Sequence, residues 1–181
     1  MHKKLQIYYF INEFDYSHLI NLDKNISFIW RNKNKETLLK TLIELRNFCN
    51  KNGRKLYVNN DIHLAQKIGA DGLYISSNNK NLTLCSGKLK KKFKILGSAH
   101  NIKEIKIKEI QNVAEIFISP LFKDKKNKKL DVFRYLNLRK ATNIKDIALG
   151  GIDEKNLKRL RLIDPAGFAG ISYFEKKKGP Q

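Results

Sequence analysis

The amino-acid sequence predicts an α/β fold: a trimmed (β/α)8 TIM barrel with a short or missing last helix, in a single domain over residues 1–181. Three observations predict it. Eight short apolar, β-branched runs alternate with helix-like stretches from one end of the chain to the other, the rhythm of strands joined by crossover helices. Several runs are apolar at nearly every position, as strands covered on both faces should be. No Gly-rich fingerprint follows the first run, where IYYFINEFDYS stands instead, so a doubly wound nucleotide-binding sheet ranks second.

The expected strands are 5–11, 26–30, 55–58, 72–76, 94–99, 114–119, 146–150 and 167–172. Between them, 36–49 carries Leu38, Leu39, Leu42, Leu45 and Cys49 at helical spacing, with Asn34 as a cap. In 61–68, Asp61 caps, Leu64, Ala65 and Ile68 form the apolar face, and Gly69 stops the helix. In 101–112, Asn101 and Glu104 have the spacing of a capping box ahead of Ile105 and Ile110. Asp153 opens a helix with Leu157 and Leu160 that ends before Pro165. The segments after the first, fourth and sixth strands read as weaker, and almost nothing follows the eighth. A typical barrel has ~250 residues, so at 181 residues thin connections are expected.

Composition narrows the function classes. Apolar residues make up 41%, enough for a core, and no apolar run approaches a membrane span. The start resembles a signal peptide only briefly, since Gln6, Glu13 and Asp15 interrupt it; a cytoplasmic protein is expected. Cys49 and Cys85 have no zinc-type or CxxC spacing, and Cys49 reads as core filler. The 37 Lys and Arg against 17 Asp and Glu give a formal charge of +20, which invites a nucleic-acid reading. Most of the excess is Lys scattered along the chain, dense only in 88–94 and 123–129, and Arg is sparse. A dedicated nucleic-acid role is therefore not expected.

In a barrel, chemistry gathers at the C-terminal ends of the strands. Gly150-Gly151 after the seventh strand lets the backbone approach an anion, with helix N–H groups beyond it, and Ser172 follows the eighth; this pair of strand ends suggests a phosphate site. Arg31 and Lys33 lie across the mouth and suit a second anionic group. His100, at a strand end near Ser98, is a candidate acid or base. Trp30 and Tyr74 read as packing residues.

These segments, in this order, resemble the thiamine-phosphate synthase/TenI family. VNNDIHLAQKIGADGLYIS (58–76), ILGSAHNIKEI, AEIFISPLFK, IALGGIDEKN and GFAGIS are similar to five motifs of that family in its own sequence order and cover nearly the whole chain. The resemblance implies a barrel acting in thiamine biosynthesis. A synthase would join a methylpyrimidine diphosphate to a thiazole phosphate with Mg²⁺ and release pyrophosphate. A TenI-type member would isomerise (tautomerise) a thiazole phosphate without metal, with His100 as acid/base. A non-catalytic phosphate-ligand-binding barrel is the third option. On the synthase reading, Arg31 and Lys33 match a diphosphate-binding pair, Asn59 a pyrimidine contact, and Ser98 a neighbour of the reacting diphosphate; Lys33, Ser98 and His100 are the catalytic candidates. Gly150, Gly151 and Ser172 match the thiazole-phosphate site.

Two departures stand out. Asn60 and Asn79 occupy the positions of the family's Mg²⁺ aspartates, each lacking a negative charge. Asp61 is one residue away and would substitute after a small register shift. The loop after the sixth strand reads Asp124-Lys125-Lys126-Asn127, with an acid where the family binds phosphate through Thr. The resemblance implies phosphorylated small molecules as partners, no membrane, and leaves a homo-oligomer open.

Overall fold

The computed structural model describes residues 5–31, 38–87, 89–122 and 130–175, with only the backbone of Leu38. Eight parallel strands close on themselves: β1 (Gln6–Ile11), β2 (Ile26–Trp30), β3 (Leu56–Asn59), β4 (Gly72–Ile75), β5 (Lys94–Ala99), β6 (Glu115–Ile118), β7 (Lys145–Leu149) and β8 (Gly167–Gly170). Each pairs with the next, and β8 returns to β1 through Ile7↔Phe168 and Tyr8↔Ala169. The predicted barrel is therefore the observed one; six strands lie inside their expected ranges, while β3 runs one residue further, to Asn59, and β7 starts one residue earlier, at Lys145.

Among the described residues, seven α-helices connect or follow these strands: α1 (Tyr16–Ile20), α2 (Leu38–Lys51), α3 (Ile62–Lys67), α4 (Ile102–Ile110), α5 (Asp131–Lys140), α6 (Leu157–Ile163) and α7 (Ser172–Glu175). A 3-10 turn, Glu154–Asn156, precedes α6. The caps follow the sequence. The Asp61 carboxylate accepts from Leu64 N at 2.9 Å, and Asn101 Oδ1 accepts from Glu104 N at 3.0 Å. The Asp153 side chain and Asn156 form a capping box. Asn34 lies outside the described residues.

Two expectations need correction. The segment after β6, read as weak, ends in the ten-residue α5, whose Tyr135 and Leu138 bury against the barrel. After β4, also read as weak, the chain makes turns rather than a helix over the described residues, as expected. In α4 the apolar face is Ile105 with Lys108, both fully buried, while Ile110 is 65% exposed. The short last helix is as expected: α7 has four residues.

Alternation along each strand sorts the side chains into two cores. Tyr8, Phe10, Ile29, Tyr57, Tyr74, Leu96, Phe117, Ile147 and Ala169 fill the barrel. Phe28, Trp30, Val58, Leu73, Ile116 and Ala148 face outward onto helices with Leu42, Leu45, Cys49 and Tyr135. The interior is unusually aromatic. Tyr8 meets Phe117 edge-on at 5.0 Å, Phe10 meets Tyr74 at 5.1 Å, and Tyr74 meets Phe117 at 5.2 Å, the geometry ring quadrupoles prefer. At the N-terminal end Tyr8 donates to the buried Glu115 carboxylate, which also pairs with Lys94. No helix among the described residues is long and apolar enough to cross a membrane.

Asp71, just before β4, ties three elements at that same end. Its carboxylate accepts from Arg46 of α2 at 2.5 Å, Lys55 at 3.0 Å and the backbone N–H of Leu56 at 3.0 Å. Burial pushes its pKa up, but these bonds outweigh it and hold the carboxyl below its ordinary value. A depressed acid contributes stability above the unfolded-state value and loses it as the pH falls through the folded-state one. Asp71→Asn is therefore expected to cost about 1–3 kcal/mol at neutral pH, and the gap to the parent protein should close below about pH 4. Denaturant titrations at neutral and acid pH check both parts.

Candidate active site at the barrel mouth

The C-terminal strand ends build the site above the aromatic floor. By alternation, Asn59 continues the inward row of Tyr57, and Ser98 that of Leu96. Asn59 is the register partner of Tyr74, and its buried Oδ1 has no hydrogen-bond partner. Ser98 is buried beside the Tyr74 hydroxyl, whose pKa burial pushes up to about 12 while Ser98 and Arg31 draw it down. The Arg31 guanidinium lies 5.5 Å from the centre of the Phe10 ring, and its Nε donates to Asn12 Oδ1 at 3.4 Å. Three expected residues, Arg31, Asn59 and Ser98, thus surround one tyrosine at the mouth. Lys33, Lys125, Lys126 and Lys128 lie outside the described residues, as does Asp124.

His100 bridges three strand ends. Its Nδ1 is 2.8 Å from the Ser119 carbonyl oxygen and 3.1 Å from Ser119 Oγ, and its Nε2 is 3.0 Å from Ser77 Oγ. A carbonyl only accepts, so Nδ1 carries a proton, and in the neutral ring Nε2 accepts from the Ser77 hydroxyl. The His100 backbone N–H donates to Glu104 at 2.7 Å, which steadies the ring from the first turn of α4. Any proton that His100 exchanges with a ligand passes through or displaces Ser77. Ser77 and Ser119 are polar strand-end residues, but only the fold shows that they meet this ring.

The β7 and β8 ends sit side by side, paired through Leu149↔Ala169. Gly150 has φ 95° and Gly151 φ 65°. A Cβ at Gly150 would stand 2.7 Å from the Cα of Pro120 in the loop after β6, so both backbone and space require glycine there. That loop is stitched to the turn by Leu121 N donating to Leu149 O at 2.9 Å and Phe122 N to Gly150 O at 3.1 Å. The expected helix N–H donor is partly spent: the Asp153 carboxylate takes the N–H of Asn156 at 3.0 Å. Ser172 opens α7 directly after β8.

The Mg²⁺ positions do not fit a hard cation. Asn60 Oδ1 accepts from Ser76 N at 3.0 Å and from Asn79 Nδ2 at 3.1 Å. Asn79 Oδ1 accepts from Asn81 N at 3.0 Å. The two carboxamides bond to each other, with neutral oxygens already engaged, where a cation of this class favours anionic ones. Asp61 does not substitute, because its carboxylate caps α3 and is exposed. No cluster of three or more His, Cys, Asp or Glu able to hold a metal occurs among the described residues. Sequence reading also missed Lys108, which donates to Asn79 O at 2.8 Å and to Gln111 Oε1 at 2.7 Å. Burial lowers its pKa to about 8, partly offset by Glu104. A lysine three residues beyond Ile105, on the buried stripe, was the available signal.

The sequence profile of the family described as thiamine monophosphate synthase matches residues 22–174. The thiamine-phosphate synthase of Pelagibacter ubique is 32% identical over 170 residues, 90% of this chain and 81% of that protein. The thiamine-phosphate synthase of Helicobacter pylori strain Shi470 is 28% identical over 75% of this chain and 64% of its own length. Among solved structures, the thiamine phosphate pyrophosphorylase of Pyrococcus furiosus superposes with a TM-score of 0.72 at 15% identity, covering 94% of this chain and 87% of that one; at that identity the likeness speaks for the fold.

Gly150→Ala is expected to lower stability by at least about 2 kcal/mol, from left-handed backbone and contact with Pro120 together. Gly53→Ala is the control. Gly53 also has positive φ but nothing within 4 Å of a Cβ, so it should show only the smaller backbone part in equilibrium denaturation.

Proposed function

This chain belongs to the thiamine monophosphate synthase family, and on that premise we propose that it is a thiamine-phosphate synthase, joining a methylpyrimidine diphosphate to a thiazole phosphate in thiamine biosynthesis. In this reaction the bond from the pyrimidine methylene carbon to the diphosphate oxygen breaks, and the electron pair leaves with pyrophosphate. The thiazole nitrogen lone pair then forms the new C–N bond. The single observation that carries the reading is the grouping of Arg31, Asn59 and Ser98 about Tyr74.

Each group has work in that chemistry. Arg31 supplies fixed positive charge for the departing diphosphate above an apolar floor, where its attraction is less screened than in water. Lys33, two residues on, adds a second cation on this reading. The unpartnered Asn59 Oδ1 is an acceptor for a donor on the pyrimidine, and Ser98 supplies a hydroxyl beside the leaving group. Gly150, Gly151 and Ser172, on adjacent strand ends, take the thiazole phosphate. Phosphorylated small molecules are the partners this site suits, and the cytoplasm is the compartment the reading assigns.

One observation favours a second reading. The His100–Ser77 pair is a ready proton relay, as an isomerase moving a proton on a thiazole phosphate would need. The two readings separate in one assay. Given methylpyrimidine diphosphate and thiazole phosphate, the protein should release pyrophosphate, and Arg31→Ala should lower kcat/KM by roughly 10²–10³. No pyrophosphate under any metal condition overturns the synthase reading. Isomerisation that survives EDTA and collapses in His100→Asn would then establish the second.

A further inference from the structure

The loops after β3 and β4 are joined through carboxamides, and the side-chain oxygens and nitrogens of Asn60 and Asn79 all have partners. Asn60 adopts the left-handed conformation at φ 57°, which Asn tolerates better than most residues. From there its Nδ2 donates to Ser76 Oγ at 2.7 Å, and Ser76 Oγ donates on to Asn78 Oδ1 at 2.6 Å. Its Oδ1 holds Ser76 N and Asn79 Nδ2, so both lone pairs are in use.

The same loop is gripped from the opposite side by α4. Lys108 Nζ and Gln111 Nε2 both donate to the Asn79 carbonyl, at 2.8 and 3.1 Å, and Gln111 Nε2 also reaches the Asn81 carbonyl at 2.9 Å. Lys108 is fully buried. Its stem fits because residue 97 is glycine: a Cβ there would stand 2.9 Å from Lys108 Cδ and 2.8 Å from Val113 Cγ1. A buried ammonium on the backbone of Asn79 adds positive charge next to the joint, which opposes a second cation there.

We propose that this carboxamide clip, braced by Lys108 and Gln111, does the structural work of a divalent cation bridging the β3 and β4 loops, so that the mouth takes diphosphate without Mg²⁺. A metal bridge orders two loops only while it is bound. The clip orders them in the folded chain itself and leaves the diphosphate charge to basic side chains such as Arg31. Lys108 is on this account a positioning residue, acting through Asn79. The inference rests on the synthase reading for its ligand.

Two titrations on the full chain test it. Mg²⁺ alone should give no saturable heat and no Tm shift. Inorganic pyrophosphate should bind in EDTA, and Lys108→Met should weaken that binding by at least about tenfold while circular dichroism shows a folded protein. Asn79→Ala should do the same, and serves if Lys108→Met does not fold. Saturable Mg²⁺ binding that Asn79→Ala removes would overturn the inference, as would pyrophosphate affinity in EDTA that neither substitution changes. Pyrophosphate release that needs Mg²⁺ overturns the inference and leaves the synthase reading standing. Metal-free pyrophosphate binding with no transferase activity does the reverse.

Discussion

Closing eight parallel strands into a barrel leaves each strand residue two directions, into the barrel or out toward the helices. Here the inward rows are filled by Tyr8, Phe10, Tyr57, Tyr74 and Phe117, larger than the branched aliphatic residues that dominate most such interiors. Their edge-to-face contacts plug the barrel from β1 across to β6. Several polar groups at the mouth are the next residue but one on the same rows. Asn59 follows Tyr57, Ser76 follows Tyr74, Ser98 follows Leu96 and Ser119 follows Phe117. One alternation rule thus builds both the floor and the groups that stand on it.

The two ends of the barrel use charge differently. At the N-terminal end, charges are matched and stabilise the fold: Glu115 with Lys94, and Asp71 with Arg46 and Lys55. At the mouth, the Arg31 Nε donates weakly to Asn12, and Asn59 keeps a buried acceptor without a donor. Buried polar groups are ordinarily satisfied, and this unpartnered acceptor stands above the floor among the strand ends. The net charge of +20 first suggested nucleic acid. Its informative part is the Arg31 cation at the mouth and the fully buried Lys108.

Much of this was legible in the sequence. Continuous apolar runs located all eight strands, because a strand buried on both faces leaves little room for polar residues. Asp61, Asn101 and Asp153 were legible as caps, since capping is a local exchange between a side chain and the next turn. Most of the misreadings involve partners distant along the chain. Ile110 was placed on the buried face and Lys108 overlooked, although the carbonyls that satisfy Lys108 belong to Asn79 and a side chain one turn on, Gln111. Asp61 was a candidate metal ligand until its cap at Leu64 accounted for its carboxylate. The helix after β6 was underrated because its burial depends on Tyr135 donating to Asp146 at 2.7 Å, in the next strand.

By itself the sequence determined the barrel, the order of its elements, the family and which residues arrive at the strand ends, because those follow from periodicity, local capping and motif order. Only the tertiary structure decided what those residues do to one another. His100 became one end of a hydrogen bond to Ser77, and Asn60 and Asn79 became partners rather than two separate losses of charge. The reason is physical: a hydrogen bond requires its donor and acceptor at about 3 Å, and residues 60, 79 and 108 come within that reach only when the barrel closes.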